Sequence, residues 1–137
     1  MPDLKSTNMS TFASIEAFPK MLLETLNTLH FTTMTEIQEK AITPILEGKD
    51  ILAQSKTGSG KTLAFGLPCV VHTDMNKNTP QTIIITPTRE LSDQIAVELR
   101  KVAAYKPNLK ILTLYGGVPL RAQAESLAKG AHILIGT

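Results

Sequence analysis

One cysteine, Cys69, stands in the 137 residues, so an internal disulfide is excluded. Its apolar neighbours and the lack of a disulfide framework suit a reducing, cytoplasmic setting. The three histidines, His30, His72 and His132, share no metal-ligand spacing with Cys69 or with a pair of carboxylates, which leaves no resident metal centre to read. No apolar run approaches the ~18 residues that a bilayer-spanning helix needs. The opening Met1-Pro2-Asp3-Leu4-Lys5-Ser6 lacks a basic-then-apolar leader, so no membrane partner is expected. Internal repeats and low-complexity tracts are missing too. Aromatic residues make up only 4% of the chain, and Tyr105 and Tyr115 read as packing residues rather than base-stacking platforms.

What is present is a globular composition: 42% hydrophobic and 19% charged, long enough for one domain with a real core. The net charge is only +2, but it is unevenly spread. Residues 1–50 hold four lysines against seven acids, whereas residues 51–137 hold ten basic residues against five acids. A basic half can face phosphates, although solvated helix faces account equally well for the charge alone.

The chemistry lies in Ser55-Lys56-Thr57-Gly58-Ser59-Gly60-Lys61-Thr62, set between the apolar Ile51-Leu52-Ala53-Gln54 and Leu63-Ala64-Phe65-Gly66-Leu67. A strand, a glycine-bearing loop and a helix start in that order form a phosphate-binding P-loop. Backbone N–H groups cradle phosphate oxygens only where no side chain intervenes, which Gly58 and Gly60 ensure. The first helical turn adds unpaired N–H groups and the positive dipole end. Lys61 then reaches the β- and γ-phosphates, and the Thr62 hydroxyl is offered to Mg²⁺. The general pattern is G-x-x-x-x-G-K-[ST]; here Ser55 takes the place of the first glycine. The structural alternative is a glycine-rich connector with a solvated lysine.

Periodicity predicts helices over about 19–29, from Thr35 to about Ile45, over 61–71, from Leu91 to Val102, and between Pro119 and Gly130. Pro44 and Pro68 are expected to disturb theirs. Strands are expected at Ile51–Gln54, at Thr82–Thr86 (β-branched and buried on both faces), at Lys110–Tyr115 and at His132–Ile135. Residues 1–11 are expected to be loose, and 12–137 to form one body. Alternation of strand and helix implies a mostly parallel α/β sheet flanked by helices. Ligands bind such sheets at the strands' carboxyl ends, where the P-loop, Pro87-Thr88-Arg89-Glu90, Gly116-Gly117 and Gly136-Thr137 all fall.

Four motifs now stand in order: Phe31-Thr32-Thr33-Met34-Thr35-Glu36-Ile37-Gln38, the P-loop, Pro87-Thr88-Arg89-Glu90-Leu91, and Gly116-Gly117. In this order and spacing the chain resembles the DEAD-box ATP-dependent RNA helicases, and is most similar to their bacterial DbpA-like members. The resemblance covers nearly everything after about residue 12. It implies the N-terminal portion of a first RecA-like P-loop NTPase domain. An unrelated P-loop kinase or small NTPase leaves Gln38, Pro87–Leu91 and Gly116-Gly117 unexplained together. The resemblance makes Gln38 an adenine reader, since one amide can pair bidentately with N6 and N7, and it makes Phe31 the stacking aromatic, with Phe12 near a second, upstream aromatic position. On residues 35–38 alone, Thr35-x-x-Gln38 is also a capping box that needs no nucleotide, and the two roles can coexist. The family opens this segment with Gly and places Pro before the hydroxyl residue, whereas this chain has His30 and Met34 there.

The resemblance further implies RNA sugar-phosphate contacts at Pro87, Thr88, Arg89, Gly116, Gly117, Gly136 and Thr137. Hydroxyls, helix N-termini and glycine turns bind phosphate without reading bases. Arg89 can serve a phosphate or brace its own loop, and Gly116-Gly117 can be a plain turn. The implied cofactors are ATP and Mg²⁺, and the implied function is ATP hydrolysis coupled to local RNA duplex unwinding, on ribosomal RNA for DbpA-like members. The Asp-Glu-Ala-Asp segment, the Ser-Ala-Thr segment and the second RecA-like domain with its arginine fingers are not among these residues. These 137 residues alone are therefore expected to show negligible RNA-stimulated ATPase activity, to keep a raw sheet edge, and at the least to act as a non-catalytic ATP- and RNA-binding fragment. Turnover above background would overturn that expectation.

Overall fold

The computed structural model describes residues 10–137. The expectation of a loose N-terminus falls, for residues 1–9, outside the described residues. Ser10 and Thr11 are tied in: Thr11 bridges Thr33 in antiparallel fashion, and the Ser10 carbonyl accepts the Met34 N–H at 2.8 Å. That second bond uses the N–H that a proline at position 34 would lack. The chain divides into two compact units, Met1–His72 and Thr73–Thr137.

The first unit, in its described part, is helical. A 3₁₀ turn at Phe12–Ser14 precedes α1 (Lys20–Thr28), α2 (Glu36–Leu46) and α3 (Lys61–His72). Leu22 and Leu26 of α1 are buried at helical spacing, as the periodicity predicts. Phe12, 2% exposed, stacks on Phe18 with ring centroids 6.4 Å apart, so this upstream aromatic is a core residue here. α2 packs on α3, and Ala41 and Ile42 of α2 are buried, as are Leu63, Ala64, Leu67 and Val70 of α3. Pro44 and Pro68 are both accommodated inside their helices.

α1 ends in a Schellman arrangement. The Phe31 N–H donates to the Leu26 carbonyl at 2.8 Å and the His30 N–H to the Asn27 carbonyl at 3.0 Å. His30 takes φ = +65° to make this turn, so the left-handed conformation suited to the family's glycine is kept by a side-chain-bearing residue. His30→Gly should therefore stabilise the chain by about 0.5–1 kcal/mol, the relieved backbone strain less the extra unfolded-state entropy. Urea unfolding would show the gain as a raised midpoint at unchanged slope, and no gain would mean that the turn is unstrained.

The expected strand at Ile51–Gln54 is not formed. An extended segment becomes a strand only by pairing its N–H and C=O groups with a neighbour. Among the described residues nothing pairs with this one, and Leu52 is fully exposed.

The second unit holds a three-stranded parallel sheet of β1 (Thr82–Ile85), β2 (Ile111–Leu114) and β3 (Ile133–Gly136), in the order β1-β3-β2. Ile133 lies level with Thr82 and Ile111, and Gly136 with Ile85 and Leu114. α4 (Arg89–Val102) and α5 (Leu120–Ala128) make the crossovers, and α4 packs on β2 and β3. On the central strand β3, Ile133 and Ile135 are fully buried. Ile83 and Ile85 point the other way and are 69% and 80% exposed, so β1 is not buried on both faces as its β-branched run implies. Alternation sends these two side chains to the sheet's other face, where they stay exposed at the β1 end. α5 stops before Gly130, as expected, but Pro119 is its N-cap rather than its first helical residue, which is Leu120. Burial pushes the Tyr105 phenol up to about 12, which keeps it neutral.

Candidate functional site

The first unit carries the nucleotide candidates. The P-loop residues Ser55–Gly60 run from the Ile51–Gln54 segment into α3, whose first two residues are Lys61 and Thr62. Gly58 and Gly60 take φ = +83° and +87°, conformations that L side chains resist. Ser55 does more than replace a glycine: its Oγ bonds the Ser59 Oγ at 2.7 Å, clipping the loop across its base. The Lys61 ammonium donates to the Ser55 carbonyl at 2.5 Å. Lys56, Thr57 and Gly58 are exposed, and Thr62 is half-buried in the first helical turn.

Gln38 is held on both sides of its amide. The capping box is formed, with the Thr35 N–H donating to Oε1 at 2.9 Å and the Gln38 N–H donating to Thr35 Oγ1 at 3.4 Å. From the other end Nε2 donates to the Gly60 carbonyl at 3.2 Å. The segment around Gln38 and the P-loop are thus one hydrogen-bonded object, bridged over twenty-two positions of sequence. Gly60 is where they touch most closely: a Cβ there would lie 2.5 Å from Gln38 Nε2 and 2.9 Å from Thr35 Oγ1. A primary amide has two N–H donors and two acceptor lone pairs, so these contacts leave Gln38 one of each, the pair that adenine requires. Gln38 is 4% exposed and Phe31 is 43% exposed.

The second unit carries the polynucleotide candidates at the carboxyl ends of its strands. Thr88 caps α4: its Oγ1 accepts the Leu91 N–H at 3.2 Å, which leaves the hydroxyl hydrogen free to donate. Two residues that sequence reasoning missed brace this loop. The buried Thr86 and Ser92 share a 2.6 Å hydroxyl–hydroxyl bond, and Thr86 Oγ1 also donates to the Thr88 carbonyl at 2.8 Å. The pattern gave no signal for them beyond two small polar residues flanking Pro87–Leu91. Arg89 turns inward to donate to the Gly116 carbonyl, and its guanidinium lies 5.3 Å from the centre of the Tyr115 ring. Of its two sequence readings, this geometry favours loop bracing. Pro87, Gly116, Gly117 and Thr137 are exposed and Gly136 is half-buried at the end of β3. Among the described residues no three His, Cys, Asp or Glu side chains group to hold a metal, and no helix is long and apolar enough to cross a membrane.

Residues 35–137 match the DEAD/DEAH box helicase family. The chain belongs to that family. It is 46% identical over 129 residues to the ATP-dependent RNA helicase DbpA of Escherichia coli strain K12, a match covering 94% of this chain and 28% of that one. It is 41% identical to the DEAD-box ATP-dependent RNA helicase CshA of Bacillus cereus, covering 94% of this chain and 24% of that protein. The crystal structure of a DEAD box protein from the hyperthermophile Methanococcus jannaschii superposes with a TM-score of 0.86 at 36% identity, covering 93% of this chain and 34% of that chain. The chain therefore has the RecA-like fold of its relatives and spans about a quarter of the length of the curated ones it matches.

Proposed function

We propose that this chain supplies the adenine- and phosphate-binding side of an ATP-dependent RNA helicase, together with part of its RNA-backbone surface. The observation that carries the reading is the bond from Gln38 Nε2 to the Gly60 carbonyl. It ties a side chain able to recognise adenine to the loop able to cradle phosphates. Phe31 stacks on the base, Ser55–Gly60 surround the phosphates, and Lys61 exchanges its bond to the Ser55 carbonyl for phosphate oxygens. Mg²⁺ fits this donor set as an ion carried in on the phosphates: Thr62 offers one hydroxyl, and among the described residues no acidic cluster stands ready to hold the ion alone. When bound, the ion neutralises phosphate charge. The Thr88 hydroxyl, the first N–H groups of α4, Gly116-Gly117 and Gly136-Thr137 take RNA phosphates and sugars, which binds RNA without regard to sequence. Hydrolysis and duplex separation, a second RecA-like domain as partner, and a cytoplasmic setting belong to the same proposal for the whole protein.

Adenine selectivity is the sharpest test. The parent chain should bind ATP more tightly than GTP, because the guanine edge presents O6 where Gln38 needs a donor. Gln38→Ala should erase the preference by about tenfold or more, the cost of two lost hydrogen bonds. Titration calorimetry with both nucleotides reads it, and equal discrimination in parent and variant would remove Gln38 from base recognition.

A further inference from the structure

Gln123 belongs to none of the motifs above, yet it makes three bonds to the segment that contains Gly116-Gly117. It lies in the first turns of α5, half-buried. Its Oε1 accepts the Tyr115 N–H at 2.7 Å, and its Nε2 donates to the Tyr115 carbonyl at 3.0 Å and to the Val118 carbonyl at 3.3 Å. An amide that takes both backbone groups of one residue does what a neighbouring strand would do, and here it does so just past the end of β2. The third bond spans the turn and fixes its far side. Arg89 also donates to the Gly116 carbonyl and lies over the Tyr115 ring. A Cβ at Gly117 would come within 2.7 Å of Arg89 Nη2, so the turn is seated closely against Arg89.

Two adjacent exposed glycines form the segment with the most conformational freedom to lose on binding a ligand. A turn held in place beforehand binds more tightly, because that ordering cost is no longer paid on binding. We propose that Gln123 is a positioning residue: its amide holds the Tyr115–Val118 backbone so that the Gly116-Gly117 turn meets an RNA sugar-phosphate strand already in its binding shape. This rests on the reading of that turn as an RNA contact.

The test uses the full chain, single-stranded oligouridylate as the probe, and Gln123→Met, which keeps side-chain length and removes all three bonds. Affinity should fall about three- to tenfold. The salt dependence of binding should keep its slope, because no charge is removed and the lost contacts are neutral. Hydrogen exchange at the Tyr115 amide should speed up while the thermal midpoint stays near the parent's. A general loosening would instead lower the midpoint and flatten the salt slope, and that result overturns the proposal. Should Gln123→Met fail to fold, Gln123→Asn, with the same amide on a stem one methylene shorter, carries the same expectation. Parent-like RNA affinity in whichever variant folds would overturn the positioning role alone. Failure of the parent itself to bind oligouridylate would overturn the RNA reading and this inference with it.

Discussion

Lys61→Ala is expected to weaken ATP binding by about tenfold to a hundredfold, the worth of charge-assisted hydrogen bonds to phosphate. The fold should barely notice the change. Lys61 is exposed, and its ammonium bonds the carbonyl of Ser55 within its own loop. Surface substitutions of this kind stay within about 0.5 kcal/mol of the parent. The two measurements together separate ligand binding from folding: titration calorimetry with Mg²⁺-ATP should show the loss, and urea unfolding should give an unchanged midpoint. Parent-like ATP affinity in Lys61→Ala would sink the phosphate-cradle reading of Ser55–Thr62, whatever the family.

The features legible in the sequence are those that local pattern decides. β-branched residues placed β1 and β3, leucine spacing placed α1, and Thr35-x-x-Gln38 gave the capping box that the structure forms. The failures share one cause, partners distant in sequence. Ile51–Gln54 has the composition of a strand, but pairing makes a strand, and no described segment pairs with it. Ile83 and Ile85 have the composition of a doubly covered strand, but cover depends on what packs above them. In the site, the glycines, Lys61 and Thr62 are readable because phosphate chemistry dictates their spacing. The bonds from Gln38 to Gly60 and from Gln123 to Tyr115 are not, because a glutamine amide serves a loop, a helix cap or a ligand equally well until the fold chooses. His30 stands where the family has glycine, and its φ = +65° is the backbone demand that a glycine there would meet without strain.

Gly60→Ala should be among the most damaging single-methyl additions to the P-loop, and Gly58→Ala is its built-in comparison. Both glycines have positive φ, so alanine at either costs about 1–2 kcal/mol of backbone strain. At Gly58 the added methyl meets nothing within 4 Å, and strain is the whole effect. At Gly60 it would sit 2.5 Å from Gln38 Nε2, 2.9 Å from Thr35 Oγ1 and 3.1 Å from Gln38 Cδ. Relieving that overlap means moving the capping-box side chains or the loop, which adds about 1–3 kcal/mol and breaks the bond from Gln38 to the Gly60 carbonyl. Gly60→Ala should therefore unfold at a lower urea midpoint than Gly58→Ala and bind ATP less well. The crowding is against Gln38 in particular, so truncating that side chain should relieve part of it. In a double-mutant cycle, Gly60→Ala should cost less in a Gln38→Ala background than in the parent. Equal costs in the two backgrounds would mean that backbone strain alone makes Gly60 necessary, and that the contact between Gln38 and the P-loop contributes nothing to holding the loop.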